Sequence, residues 1–446
     1  MRGEDLPEVA AFLTLFTLAM LVAVAFLHYP VYSVLLLGGA GAAWLGWRHG
    51  FTPSGLARMF VSGALQALPV VIIISLIGML IGVWKAGRVI PAFMNLSFDL
   101  LRPQGFLVTV FLVSTAVALL LGTATGTFST IGLVLAGVGA VTNVPYPVVV
   151  GAIVSGAFVG DRSAPLSATA NLVATLAECE PRALLRHLWT TGAPAVLLSA
   201  AFYFLLDQIY SQNALNAAVI APFRALIASH FRLSGWLYLP PLLFVLLAVA
   251  RVATHYNIAI VLLSSALVAG IVQGLSPVDL VRAAISGYHA SGSGPAVQLL
   301  NGGGLLAMLP LLITLFAATG LGGLLEGTGM TRLVLGRLME RAGGAAQLLV
   351  WTVGISAAVV VITANQALSV VIPARLLLEP LRRKGAGELA LARAIADAGA
   401  VLAPIVPWTT AALTPALLLG VEARAFIPFA AFCWLQPLIE LLFLRR

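Results

Sequence analysis

Long apolar stretches separated by short polar clusters run the whole length of the 446-residue chain. A helix needs about 20 apolar residues to cross a bilayer. By that measure the pattern predicts helical spans at about 8–28, 31–47, 60–84, 105–121, 128–142, 146–160 and 188–210. A polar interlude, SQNALNAAVIAPFRALIASHFRLSG, follows Tyr210. Spans then resume at about 236–254, 257–275, 304–326, 346–363, 394–411 and 424–443. Shorter apolar pieces at 88–101, 164–177 and 366–378 read as re-entrant segments or half-helices. The total is about 11 to 13 crossings. The stretch from Ala10 to Leu27 follows the acidic start RGEDLPEV, whereas a cleaved signal peptide starts positive, so it reads as the first spanning helix.

The interlude divides the chain into similar halves. TATGTFS begins at Thr123 and TANQALS at Thr363, an offset of 240. GDRSAP begins at Gly160 and GAVLAP at Gly399, an offset of 239. Gly78 and Gly87 frame one segment, Gly320 and Gly329 another, at an offset of 242. Each match is weak in a chain so rich in Gly and Ala, but three at nearly one spacing read as two copies of one unit. The expected division is a first transmembrane repeat at 6–210, a connecting segment at 211–235 and a second repeat at 236–443. Repeats of this kind build secondary transporters.

Composition sharpens the class. Hydrophobic residues make up 61% of the chain and charged residues 9%, against roughly 25% charged in soluble domains. Mean hydropathy is +1.05. Such a chain can cover a lipid-facing surface but not a water-facing one, which predicts an all-α polytopic protein of the cell (inner) membrane, surrounded by lipid. The net charge of +8 fits basic loops held against an anionic cytoplasmic face. The segment Arg375 to Arg393 and the Arg445–Arg446 tail are expected there. No basic-aromatic patch suggests nucleic acid. Cys179 and Cys433 form no CxxC pair, and His187, His255 and His289 have no metal spacing. Lys85 and Glu326 read as interfacial, Asp207 and Arg251 as helix-end anchors. GxxxxGK[ST], HExxH and GxSxG are all absent, which argues against an ATP-driven pump and against an enzyme, and no cofactor is expected.

The polar clusters carry the candidate chemistry. The first half contributes Thr123, Thr125, Thr127, Ser129 and Thr130, then Asp161, Ser163, Ser167, Thr169 and Asn171. The second contributes Thr363, Asn365, Gln366 and Ser369, then Asp397, Trp408, Thr409 and Thr410. Helix breakers accompany them: Gly122, Gly126 and Pro165, then Pro373, Pro404 and Pro407. Unwound backbone at membrane depth survives only where protein or a water-filled cavity covers it. There, carbonyl, hydroxyl and amide oxygens suit a small hard cation, and the clusters read as two halves of one midplane site. Single hydroxyls often do no more than join or cap membrane helices.

Asp161 and Asp397 stand out, because charges inside a bilayer are costly and mark ion pathways or proton relays. A carboxylate that takes either a proton or a sodium ion is the simplest device for exchanging the two. The competing structural readings are a local pair or cap of Asp161 with Arg162, and a pair of Asp397 with Arg393 one turn earlier.

The motifs GTATGTFSTIG, VSGAFVGDRSAPLSATANL, RHLWTT and DAGAVLAPIVPWTTAA together resemble the NhaC family of sodium/proton antiporters, within a larger group of inverted-repeat ion carriers. The resemblance covers about Gly78 to Val421. It implies two inverted structural repeats with broken helices and re-entrant hairpins, and exchange of sodium for protons by alternating access. Some relatives in that group carry small organic anions such as malate and lactate, and carriers of the group often form homodimers. Carried over to this chain, it favours Asp161, Ser163, Ser167, Thr169, Asn171, Gln366, Ser369, Asp397, Pro407, Trp408 and Thr409. Asp161, Thr169, Asn171 and Asn365 are the expected sodium ligands. The chain departs from the family at Asn365 and Ala168, where acidic residues are common. That weakens proton coupling more than sodium binding and keeps open sodium-coupled transport of a small organic acid or amino acid.

Overall fold

The computed structural model describes residues 5–23, 29–92, 105–139, 142, 144–210, 234–250, 252–289, 301–331, 333–334, 344–385 and 387–444. Nearly all of the polar interlude, together with Arg251, Arg445 and Arg446, lies outside them. The regular structure among the described residues is helical, apart from one isolated antiparallel bridge between Tyr288 and Gly302. In chain order the helices are α1 (Leu6–Leu21), α2 (Val31–Arg48), α3 (Pro53–Leu65), α4 (Leu68–Ala86), α5 (Phe106–Leu121), α6 (Ala124–Gly139), α7 (Tyr146–Ser163), α8 (Ala168–Leu176) and α9 (Pro181–Tyr210). The second half adds α10 (Leu239–Val249), α11 (Thr254–Gln273), α12 (Pro277–Ser286), α13 (Leu309–Gly327), α14 (Ala345–Thr363), α15 (Gln366–Arg383), α16 (Glu388–Ile405), α17 (Thr410–Leu419) and α18 (Ala431–Phe443).

Among the described residues five helices are long and apolar enough to cross a membrane, and seven spans result if two bent pairs each count as one. The pairs are α16 with α17, bent by 45°, and Ala423–Phe429 with α18, bent by 52°. The expectation of 11 to 13 crossings also counts shorter apolar helices such as α1, α5 and α6. Outward-facing side chains on the long helices are apolar: Leu37, Leu197, Leu263 and Ile271 are 71–75% exposed. A surface of that kind faces lipid, and the chain is a multi-pass integral membrane protein.

Small residues let the inner helices touch. A Cβ added at Gly156 on α7 would lie 2.6 Å from the Phe111 carbonyl oxygen of α5, so only glycine admits that approach. The largest core gathers Trp84, Phe106, Phe111, Phe128, Phe158, Tyr203 and Phe432 around α7. Asp207, an expected helix-end anchor, is 1% exposed near the end of α9. Its carboxylate accepts from the first backbone N–H groups of α5, Leu107 N at 2.9 Å and Val108 N at 3.1 Å. Those donors have no partner within their own helix. Asp207→Ala is expected to cost about 1–3 kcal/mol of stability, the desolvation cost of orphaned donors. A lowered melting temperature of the purified protein in detergent is the result to look for.

The two halves break their helices alike. α5 ends at Gly122 (φ 69°) and α14 at Ala364 (φ 55°), both left-handed. One extended residue follows each, Thr123 (φ −151°, ψ 131°) or Asn365 (φ −125°, ψ 118°), before α6 or α15 begins. α7 stops before Pro165, and α16 before Pro407. Each chain restarts on a hydroxyl cap: Ser167 accepts from Ala170 N at 3.0 Å, and Thr409 from Ala412 N at 3.2 Å. Each cap also donates to a carbonyl six residues back, Ser167 to Asp161 and Thr409 to Ala403. All of these correspondences share one offset, 242 (364 minus 122). That offset replaces 240 and 239 for the first two sequence matches. Backbone conformation pairs Thr123 with Asn365 and Asp161 with Ala403. Residue identities alone slip by a few positions in a chain so repetitive in Gly, Ala and Thr.

Candidate functional site

Asp161 lies in the last turn of α7, just before the Pro165 break, and is half-buried. Its Oδ1 accepts from the backbone N–H of Ala124, the first residue of α6, at 3.2 Å. Its Oδ2 accepts from Thr169 Oγ1 in the first turn of α8 at 3.1 Å and from Gln366 Nε2 at the start of α15 at 3.2 Å. Three helix starts from both halves thus meet at one carboxylate, where the Ala124 N–H and the positive ends of the helix dipoles favour negative charge. Gln366 Nε2 also donates to the Ala400 carbonyl oxygen at 3.0 Å. Ala400 closes a π-helical turn in α16, Ala396–Ala400, which lifts a carbonyl out of the regular ladder. One small donor is therefore held between a carboxylate oxygen of the first half and a carbonyl oxygen of the second.

The other candidates divide into hinge fasteners and helix-internal hydroxyls. Ser369 Oγ donates to the Gly399 carbonyl at 2.8 Å, tying α15 to the π turn. Trp408 Nε1 donates to the Val361 carbonyl at 2.8 Å, fastening the second break to α14. Ser167 and Thr409 are the caps described above, and Thr410 is the first residue of α17. Thr127, Ser129, Thr130 and Thr363 donate to carbonyls three or four residues back in their own helices. Thr123 precedes α6 without a side-chain cap, and Thr125 lends its carbonyl to Ser129.

Of the four expected sodium ligands, Asp161 and Thr169 meet, and two do not join them. Asn171 is exposed and turns its amide N–H onto the Ser167 carbonyl at 2.7 Å. The Asn365 side-chain oxygen is taken by the N–H groups of Ala367 (2.8 Å) and Leu368 (3.3 Å), as the cap of α15. Local capping claims both amides, as Asn does at helix ends. Ala400 supplies an oxygen that sequence reasoning missed, since backbone carbonyls leave no mark in residue identity.

Asp397 stands in a second, fully enclosed group. Its Oδ1 accepts from Arg162 Nε at 2.6 Å and pairs with Arg162 Nη2. Its Oδ2 accepts from Thr191 Oγ1 and Gln436 Nε2, both at 2.7 Å. Arg162 further donates to Ser163 Oγ, Thr191 Oγ1 and the Leu188 carbonyl, all at 2.9 Å. Neither local pair considered from the sequence forms: Arg162 turns away from Asp161, and Arg393 pairs with Glu440 at 2.9 Å. Arg393, expected at the edge of a cytoplasmic loop, is only 8% exposed. Gln436 and Glu440 were missed as well. Their signal was two polar residues one helical turn apart in the otherwise apolar AFCWLQPLIELLF of α18.

A cleft of about 530 Å³ reaches the second break, lined by Tyr29, Tyr32, Pro310, Thr314, Pro407 and Glu422 among others.

Comparison with known proteins gives concordant matches. A protein called Na(+)/H(+) antiporter NhaC from Bacillus subtilis (strain 168) is 28% identical over 96% of both chains. The Malate-2H(+)/Na(+)-lactate antiporter of the same organism is 25% identical over 96% of this chain and 92% of its own. The Arginine/ornithine antiporter ArcD of Halobacterium salinarum is 25% identical over 98% and 90%. These relatives are carriers by name, not enzymes. The model of one family, described as the Na+/H+ antiporter family, matches residues 8–206 and again 184–445. Those two matches take in nearly the whole chain, which belongs to the Na+/H+ antiporter family.

Proposed function

We propose that the chain exchanges sodium for protons by alternating access, with Asp161 as the shared carboxylate and the two halves arranged as inverted repeats. The observation that carries this reading is the meeting of Asp161 with Gln366 and the Ala400 carbonyl across the two halves. A sodium ion entering there takes the Asp161 oxygens, Thr169 Oγ1 and the Ala400 carbonyl, all hard oxygen ligands, and swings the Gln366 amide so that its own oxygen faces the ion. A proton on Asp161 removes the charge that draws the ion, so the two compete. Rocking one half against the other would then open this junction to either face. The test is sodium-driven proton movement in proteoliposomes of the purified protein, followed with an internal pH dye. A pH jump on sodium addition supports exchange; no jump, at any pH where the protein is folded, ends this reading.

A second reading is sodium-coupled carriage of a small organic acid or amino acid. It is favoured by the names of the malate/lactate and arginine/ornithine relatives and by Asn365, which replaces an acid at the mouth of α15. Asn365→Asp separates the two. Asp caps a helix as well as Asn does, so α15 keeps its start and only the charge changes. For an antiporter the expected outcome is a shifted pH optimum of exchange. An unchanged pH profile places residue 365 off the proton path.

A further inference from the structure

A second cleft, also of about 530 Å³, is lined by the last turn of α4, the end of α6, the start of α7 and the end of α17, and by none of the residues around Asp161. That volume suits a small molecule. Ile81, Ile90, Leu133, Ala136 and Met308 give it apolar walls, and Lys85 is the charged side chain of its described lining. The last turn of a helix suits a cation, yet Lys85 is half-buried and its Nζ leaves α4 to donate to the Asn301 carbonyl at 2.6 Å. An ammonium has three N–H donors. No carboxylate among the described residues lies within ion-pair distance of it. The fully buried cations do have such partners, Arg162 in Asp397 and Arg393 in Glu440. A charge taken from water without a partner is costly. Beside Lys85 the chain turns through Gly302, Gly303 and Gly304, at φ 97°, 76° and 86°. A Cβ added at Gly302 would lie 3.7 Å from Lys85 Nζ. Gly302 is bridged to Tyr288, and the Arg88 guanidinium lies 4.8 Å over the Tyr288 ring, a second cation near this loop. Elsewhere in the lining, the Tyr146 hydroxyl donates to the Leu419 carbonyl and ties the start of α7 to the end of α17.

We propose that this cleft binds a small organic carboxylate, with its oxygens on the Lys85 ammonium and its carbon chain against Ile81, Leu133 and Met308. The lining selects that chemistry. A cation with donors to spare takes a carboxylate in a charge-assisted hydrogen bond, and the apolar walls gain from a short carbon chain. An inorganic anion would use Lys85 and leave the walls without contact. The cleft also lies at the far ends of two helices that begin at the breaks. α6 starts at Ala124, whose N–H meets Asp161, and α17 starts just after Pro407. A bound carboxylate therefore touches both halves of the chain, and it favours whichever arrangement of α6 and α17 closes the cleft around it. The site stands whether or not sodium and protons exchange at Asp161.

The test is calorimetric titration of the purified full-length protein with potassium butyrate, without sodium, and with butanamide as the uncharged counterpart. Saturable binding of butyrate and none of butanamide is the expected result. Lys85→Met keeps the length of the apolar stem and is expected to weaken butyrate about tenfold or more, the worth of one hydrogen bond to a charged group. Ala307→Leu adds bulk at an exposed position of the lining. It is expected to weaken butyrate with Lys85 intact, and it decides the matter if Lys85→Met does not fold. Asp161→Asn is expected to bind butyrate as the wild type does. No butyrate binding in the wild type overturns the site, as does equal binding of butanamide. Binding unchanged in both Lys85→Met and Ala307→Leu overturns it too. Loss in Asp161→Asn would place the anion at the junction instead. Abolition of butyrate binding by added phosphatidylglycerol would give Lys85 to a lipid head group and overturn the small acid.

Discussion

In Asp161→Asn, sodium addition is expected to move no protons, and sodium is expected to stop raising the melting temperature of the purified protein. The substitution is nearly isosteric. The amide oxygen can still accept from Thr169 and Gln366, the two side chains that reach Oδ2 at 3.1 and 3.2 Å, so the junction keeps its side-chain bonds and loses only the one from the Ala124 N–H, which an amide nitrogen cannot accept. What disappears is the charge. A neutral amide neither titrates nor draws a cation strongly, and both arms of the exchange require a group that does. Loss of sodium binding removes its stabilisation, about 2.7 kcal/mol at a ligand concentration 100 times the dissociation constant. Exchange that survives in this variant, measured beside wild type in the same vesicles, would remove Asp161 from the mechanism.

The second large effect is on folding. Arg162 and Asp397 are 1% and 0% exposed and are drawn from opposite halves. Arg162→Met leaves Asp397 as a buried charge without its cation, a loss of about 3–5 kcal/mol in comparable cases. The variant is expected to express poorly or unfold far below the wild type. The double variant Arg162→Met/Asp397→Leu is expected to regain much of that stability, because apolar side chains of similar volume often replace a buried pair without loss. Denaturation in detergent measures both. A single variant as stable as wild type would mean that water reaches Asp397. A double variant no better than the single would assign the cost to the other Arg162 bonds, those to Leu188 and Thr191. Arg162→Lys is no conservative alternative, since one ammonium cannot reproduce a guanidinium that donates in several directions at once.

Membrane class and helical fold were legible in the sequence, and Asp161, Thr169 and Gln366, which the structure brings together, were named there as candidates, because each rests on residue identity. A carboxylate inside an apolar chain draws notice wherever it falls. Asn171 and Asn365 show where identity misleads: each lies beside a helix break, and each spends its amide on the nearest backbone groups. The Ala400 carbonyl shows the reverse, a polar oxygen supplied by an alanine because a π turn exposes it. The likeness of the two helix breaks was visible, but the offset of 242 that their backbones share was not. The equivalence of Gly122 with Ala364 lies in a left-handed backbone angle that glycine adopts freely and alanine adopts under strain. The Arg162–Asp397 pair spans 235 residues, and no local pattern announces a contact over that distance.

The pairing of Asp161 with Ala403 across the two breaks has a further consequence. One clasp carries an acid and its counterpart carries a methyl group, so a single charge sits at the junction. Under the exchange proposed here, that charge when bare must leave water as the halves move, and buried ions are costly even with three donors in place. Neutralised by either passenger, it crosses without that barrier. On that reading the unloaded carrier is the immobile one, and it returns only when occupied. Under the exchange proposed here, the same asymmetry limits leak: sodium cannot run down its gradient alone, because the journey back requires a proton.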